Sequence, residues 1–268
     1  MKPLILVTND DGIFSPGLHA AAEAVSDLGE LLIVAPRYQQ TSMSRSLPSG
    51  DGIGIIEEVT ITIDEQPHPA YAVHGSPSLA VIHAVFELAP EKPALCISGI
   101  NYGENVGLTT MISGTVGAAL EASVCGIPAI AVSREAELEL HHSDDYGKLD
   151  WSVAKHFTRQ IAAQVLTRGL PPEISVLNVN IPANATPDTE IRPTIQSQQT
   201  HYYFTRITER DRSAGYRPKV EFILDHDRLE PDSDIQGFLF DQVVTVTPLT
   251  NNLTARVDIP RWFDQFTR

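Results

Sequence analysis

Cysteine is nearly absent: Cys96 and Cys125 are the only two in 268 residues, and they form no Cys-x-x-Cys pair. Both lie in apolar surroundings, which points to buried free thiols in a reducing compartment rather than to a disulfide framework. No apolar run approaches the roughly 18 residues that a membrane span needs. The four-residue run Leu4-Ile5-Leu6-Val7 that follows Met1-Lys2-Pro3 is too short for the core of a secretory signal. A cytoplasmic protein without a membrane partner is therefore expected. Positive charge is also scarce, with 19 Lys and Arg against 34 Asp and Glu, a formal net charge of −15. Nucleic-acid polymers are held largely by phosphate neutralisation, so this balance argues against them as partners. It leaves small phosphorylated molecules open, because a bound cation and a helix N-terminus supply local positive potential.

Several chemical signatures are missing too. There is no GxxxxGK[ST], no GxGxxG and no HExxH, and the nine His show no metal-ligand spacing. No internal repeat or low-complexity linker divides the chain. What remains is 42% hydrophobic, enough for a substantial core.

The first half alternates strand and helix signals. Leu4 to Val7, Leu31 to Ala35, Leu95 to Ser98 and Ala129 to Val132 are short apolar runs, read as buried strands. Between them, Gly17 to Leu28 carries a helical stripe of Leu18, Ala21, Ala22, Val25 and Leu28. Ser76-Pro77 reads as a cap with Pro at the first helical position, opening a helix through Leu79, Ile82, His83 and Phe86. A further helix is expected over Thr115 to Ser123. The period-two pattern of Val59, Ile61 and Ile63 predicts antiparallel strands between Gly52 and His74. In the second half, Trp151 to Arg168 reads as an amphipathic helix, 176–181 as a strand with polar interruptions, and Val243 to Val246 as a late strand. Trp262, Phe263 and Phe266 mark a closing helix, and Trp151 and Trp262 are read as core aromatics. The fold class expected is α/β: a doubly wound, mostly parallel sheet with antiparallel additions and right-handed crossovers. One domain is expected, with its core at about 1–185 plus 240–268 and an extended hairpin or arm at about 190–235.

Chemistry concentrates in the loops that leave strands, where open α/β sheets bind ligands. Thr8-Asn9-Asp10-Asp11-Gly12 follows the first strand. Asn, Asp and Gly are ordinary turn formers, yet paired carboxylates at a strand's carboxyl end also suit a hard cation such as Mg²⁺, Mn²⁺ or Ca²⁺. The loop after the second strand holds Gln39 to Ser46, and Ser98 to Gly107 follows the Leu95 strand. Asp10 and Asp11 would neutralise the cation, with neutral oxygens from Thr41 and Asn101. Asp10, Asp11 and Asn101 are thus the candidate catalytic residues. Ser113-Gly114-Thr115 opens a helix, which is both ordinary capping and a ready anion site. With Asn9 and Asn105, these three make the candidate phosphate- and substrate-binding set.

Taken in order, Thr8 to Gly12, Val34-Ala35-Pro36, Ser98-Gly99-Ile100-Asn101-x-Gly-x-Asn105, Ser113 to Val116 and Gly126-Ile127-Pro128-Ala129 resemble the SurE (survival protein E) family. Leu177 to Pro182 and Val246-Thr247-Pro248-Leu249 resemble its later landmarks, so the likeness spans nearly the whole chain. The resemblance implies a Rossmann-like core and a divalent-metal-dependent phosphatase for nucleoside 5′- and 3′-monophosphates, sometimes for short polyphosphate. It implies homodimers or homotetramers linked by an exchanged arm, and one cation per subunit, Mg²⁺ or Mn²⁺. The family's ligand pattern carries over directly onto Asp10, Asp11 and Asn101. Its serine does not: Thr41 stands there, five residues beyond Pro36, with Ser42 as the fallback at a position where Gly is common. Two further departures stand near the site. The family's Gly-Thr-Pro-x-Asp-Cys is here Gly75 to Ala80, with Leu79 in place of the acid, and Ile112 replaces an aromatic.

Other readings of the same residues are a phosphatase for polyphosphate or sugar phosphates, and a non-catalytic nucleotide-binding protein. An aspartyl-phosphate route through Asp10 or Asp11 is disfavoured, because the adjacent pair lacks the Asp-x-Asp spacing of haloacid-dehalogenase-like phosphatases. His141-His142 is read as part of a solvated charged loop, and Arg206, Arg210 and Arg212 as solvating the arm.

Overall fold

The structure is a computed structural model that describes residues 2–137, 148–207, 209–214, 220–255 and 257–267. Five of its strands are the parallel centre of one sheet: β1 (Leu4–Thr8), β2 (Glu30–Pro36), β5 (Leu95–Tyr102), β6 (Ala129–Arg134) and β7 (Val176–Ile181). The hairpin β3 (Ile56–Ile63) and β4 (Gln66–Val73) extends one side, and β8 (Ile191–Pro193) and β11 (Val244–Leu249) extend the other. The order is β3-β4-β2-β1-β5-β6-β7-β11-β8, antiparallel at β3/β4 and at β7/β11. β1 is buried at all five positions, as its unbroken aliphatic run requires of a strand covered on both faces.

Helices α1 (Pro16–Val25) and α4 (Ser152–Arg168) cover one face. Their buried stripes, Leu18, Ala21, Ala22 and Val25 against Ala154, Phe157, Ile161 and Val165, join one core with Ile5, Val7 and Ile97. The other face is covered by α2 (Pro77–His83) and α3 (Gly114–Val124), packed on Leu6, Val34 and Cys96. Ser76 caps α2 by accepting a hydrogen bond from the Leu79 amide at 3.1 Å, and Pro77 follows as expected. The face that α2 buries differs from the Leu79, Ile82 and Phe86 stripe: Pro77, Ala80 and Val81 are inside, while Phe86 is exposed. Small residues let α2 approach α3 closely, and that contact decides the helix rotation.

One crossover departs from the expected uniform hand. β5–α3–β6 and β6–α4–β7 step the same way across the sheet, yet α3 and α4 lie on opposite faces. The β6–α4–β7 connection therefore has the opposite hand to β5–α3–β6. Its gain is cover: without α4, the apolar face bearing Ile97, Ile130 and Val179 would lie beside α1 alone.

The second half is more divided than a single arm. Ile191–Pro193 joins the main sheet beside β11, while β9 (Tyr202–Phe204) and β10 (Val220–Phe222) form a separate antiparallel pair. Helix α5 (Ile259–Thr267) buries none of its residues. Trp262 is half exposed and so is not a core aromatic, whereas Trp151 packs partly into the core with its ring 5.0 Å from that of Tyr102. Cys96 is buried and Cys125 half-buried, and both are free thiols. His141-His142 lies outside the described residues.

Candidate active site

β1 lies at the switch point of the sheet, because the chain leaves it toward β2 on one side and returns at β5 on the other. The turn after β1 and the end of β5 flank the crevice that such a reversal creates. Asn9 shapes that turn: its side-chain nitrogen donates to the Gly12 carbonyl at 3.1 Å, and its oxygen accepts the Gly12 amide at 3.2 Å. Asp10 and Asp11 are left side by side and buried, at 3% and 1% exposure. Burial pushes both carboxyls above the usual carboxylate range, and the charge of Asp10 pushes Asp11 further.

The start of α3 and the loop after β2 bond this pair directly. The Thr115 hydroxyl donates to Asp10 Oδ1 at 2.6 Å, and its carbonyl accepts the Ser98 hydroxyl at 2.7 Å. Gly114 lies so close that a Cβ there would sit 2.7 Å from the Asp10 Cβ and 2.8 Å from Oδ2. Ser113 caps α3 by accepting the Val116 amide at 3.1 Å, so the ordinary capping role is realised. From the loop after β2, the Gln40 amide donates to the Asp10 carbonyl at 2.6 Å, and Gln39 Nε2 reaches Asp11 Oδ1 at 3.4 Å. This loop is fastened to α3: the Ser44 amide and hydroxyl donate to Ile112 and Met111 carbonyls, and Arg45 pairs with Glu121. Gly117 is required there, since a Cβ would meet the Ser44 carbonyl oxygen at 2.2 Å.

Thr41 is half-buried, while Ser42 is exposed with φ of 63°. A left-handed backbone at Ser42 is the conformation that favours Gly. β5 runs on through Asn101 to Tyr102, with a register shift against β6 between Ser98 and Asn101, where the sequence suggested that the strand stops at Ser98. The Asn101 side-chain nitrogen donates to the Gly103 carbonyl at 2.7 Å, which leaves its oxygen as the donor atom for a cation.

Asn105 is held by partners that the sequence did not announce. Asn178 and Asn180 on β7 both donate to its carbonyl, at 2.7 and 3.2 Å; Asn180 also accepts its amide, and its side chain donates to Ser133. The signal was there as the two polar interruptions of that strand, spaced by two and so on one face. Glu104 is a second residue that sequence reasoning passed over. Its carboxylate meets His201 Nε2 at 2.8 Å and the Tyr202 hydroxyl at 3.1 Å, tying the β9 segment to the same loop. Arg206, Arg210 and Arg212 are exposed.

Two carboxylates with a hydroxyl and an amide oxygen would make an all-oxygen donor set, which suits a hard divalent cation. Among the described residues, no three His, Cys, Asp or Glu gather as a metal site. Such a centre would therefore depend on its neutral oxygens. A cation would also offset the cost of ionising two adjacent buried carboxyls.

Fold and site together define an α/β protein of Rossmann-like type whose switch point carries a buried carboxylate pair beside a helix N-terminus. The chain belongs to the SurE family: the family model described as survival protein SurE matches residues 5–209. A 5′-nucleotidase SurE of Methanosarcina mazei is 40% identical over 264 residues, covering 96% of each chain. A 5′-nucleotidase SurE of Methanothermobacter thermautotrophicus is 46% identical over 196 residues, 71% of each. The crystal structure of the SurE protein from Aquifex aeolicus superposes with a TM-score of 0.75 at 27% identity, covering 99% of this chain and 100% of that one.

Proposed function

We propose that this protein is a divalent-metal-dependent phosphatase that hydrolyses nucleoside 5′- and 3′-monophosphates to nucleoside and phosphate. The observation that carries this reading is the buried Asp10–Asp11 pair set against the N-terminus of α3, with Thr115 bonded to Asp10. Relatives covering nearly the whole chain bear the name 5′-nucleotidase SurE, which supports the substrate class.

Asp10, Asp11, Asn101 and Thr41 would hold one cation per subunit, Mg²⁺ or Mn²⁺. When bound, such an ion stabilises charge on phosphoryl oxygens during in-line displacement. The remaining work falls to the chain. Thr115 fixes the Asp10 carboxylate, and Asn9 holds the turn that presents both acids. The Gly114 amide would receive a phosphate oxygen at the positive end of α3, beside Thr115, whose own backbone amide supports the Asp10 carboxylate. Ser113 accepts from Val116 and keeps its own proton to donate. Asn105, its backbone held by Asn178 and Asn180, would contact the substrate as well.

We also propose that the chain works as one domain, its arm at about 190–235 serving subunit contacts in a homodimer or homotetramer. Phe204, Phe222, Ile223, Trp262, Phe263 and Phe266 are all at least half exposed, an apolar surface that favours association. Among the described residues no helix is long and apolar enough to cross a membrane. Free thiols fit a cytoplasmic setting.

The test is phosphate release from nucleoside 5′- and 3′-monophosphates, compared with ribose 5-phosphate and polyphosphate. Release from nucleoside monophosphates with the highest kcat/KM is expected. No release from any of them ends this reading, and a preference for polyphosphate moves the substrate class.

A further inference from the structure

On the loops that carry and adjoin the carboxylate pair lie two exposed aromatic rings that the phosphate chemistry does not use. Phe14 and Tyr38 are 45% and 60% exposed. The Arg37 guanidinium contacts both, its carbon 5.3 Å from the Phe14 centroid and 4.9 Å from that of Tyr38. Glu57 fixes this cation, accepting from Arg37 Nε at 3.0 Å and contacting His74 Nε2 at 2.6 Å. The His74 ring in turn meets Tyr38 edge-on, at 5.8 Å and 83°. The rings are therefore large and solvent-facing, yet held in place by a brace of Arg37, Glu57 and His74.

Their position is tied to the site. The Ile13 amide donates to the Pro36 carbonyl at 2.8 Å, joining the loop that carries Phe14 to the loop that carries Tyr38. A Cβ on Gly12 would lie 3.4 Å from the Tyr38 backbone carbon. Next along the chain, Gln40 bonds the Asp10 backbone. A nucleoside monophosphate is anionic at one end and flat and aromatic at the other. The α3 N-terminus matches the first end, and half-exposed rings on the adjoining loops match the second.

Resting on the nucleotidase reading, we propose that Phe14 and Tyr38 form the stacking platform for the substrate's nucleobase, with Arg37 as the cation that fixes their faces. Stacking is tolerant of base identity but grows with ring area, so purine monophosphates are favoured over pyrimidine ones.

The experiment compares wild type with Tyr38→Ala, Phe14→Ala and Tyr38→Phe. The first readout is the ratio of kcat/KM for AMP to that for ribose 5-phosphate, which lacks a base. The second is adenosine affinity by calorimetry, which needs no turnover. Each Ala variant is expected to lower the ratio about ten-fold, mainly through KM, and to weaken adenosine to a similar extent. Tyr38→Phe should retain both. A ratio unchanged in both Ala variants, or equal adenosine affinity in all four proteins, overturns the platform. If no monophosphate is hydrolysed, the phosphatase reading falls by itself and the adenosine measurement still decides this one.

Discussion

Thr115 donates its hydroxyl proton to Asp10 Oδ1 at 2.6 Å, joining the first turn of α3 to the end of β1 across 105 positions of sequence. That bond orients one carboxylate of the pair and fixes where the helix N-terminus lies relative to it. Thr115→Val keeps the shape and removes the donor. Phosphate release should fall about 10–100-fold, as for other partners that orient metal ligands. Thermal denaturation should show a loss of about 1–3 kcal/mol, from a buried acceptor left without its donor. Wild-type rates in this variant would remove Asp10 orientation from the mechanism.

Gly114→Ala tests the same contact from the backbone side. On an exposed helix, Ala would be stabilising by about 1 kcal/mol. Here its methyl would collide with the Asp10 side chain, so a destabilisation of about 1–3 kcal/mol is expected. Urea unfolding measures it, and activity should fall with it because the atom displaced is a carboxylate oxygen.

Thr41 and Ser42 give opposite expectations. Thr41→Ala removes a proposed ligand and should raise the Mg²⁺ or Mn²⁺ concentration for half-maximal activity about ten-fold or more. Ser42→Gly relieves a left-handed residue with φ of 63°, and should raise stability by up to about 1 kcal/mol with metal activation retained. The reverse pattern would make Ser42 the ligand.

Asp234 sets a pH dependence of stability away from the metal ligands. Its carboxylate accepts amides from Gly107, Ser197 and Ile235 at 2.9 to 3.0 Å. Burial outweighs those bonds and pushes its pKa up from 3.8 to about 6. The folded chain thus binds this proton more tightly than the unfolded chain does. The contribution is full below pH 3.8 and lost as pH rises through about 6. Denaturant midpoints measured between pH 4 and 7 should show this falling component in wild type and lose it in Asp234→Asn. An identical pH slope in both proteins would contradict the assignment.

Much of the candidate site was legible because most of it sits at the ends of strands whose apolar runs are unmistakable. Asp10 and Asp11 follow such a run and Asn101 extends another, so a parallel sheet carries them toward one edge, while Ser113 to Thr115 were legible as the start of a helix. The register could not be read so far: β5 continues to Tyr102 because its paired neighbours, not its own residues, keep it extended. The rotation of α2 was also hidden, since Leu79, Ile82 and Phe86 look more apolar than the Ala80 and Val81 face that packs on α3. Partners contributed from far along the chain, such as Asn178 and Asn180 for Asn105, left only a period-two trace. Trp262 shows the limit of composition, because an aromatic stripe on a helix reads alike whether its cover is the chain's own core or another surface.

Phosphate release from AMP by wild type and Asp11→Asn, with Mn²⁺ or Mg²⁺ and again after chelation, probes the proposed metal centre most directly. Wild type should lose activity with chelator and recover it when the cation is restored, and Asp11→Asn should be at least about a hundred-fold slower with folding intact. Release that survives both chelation and the loss of Asp11's charge would show that the carboxylate pair does not hold a catalytic cation.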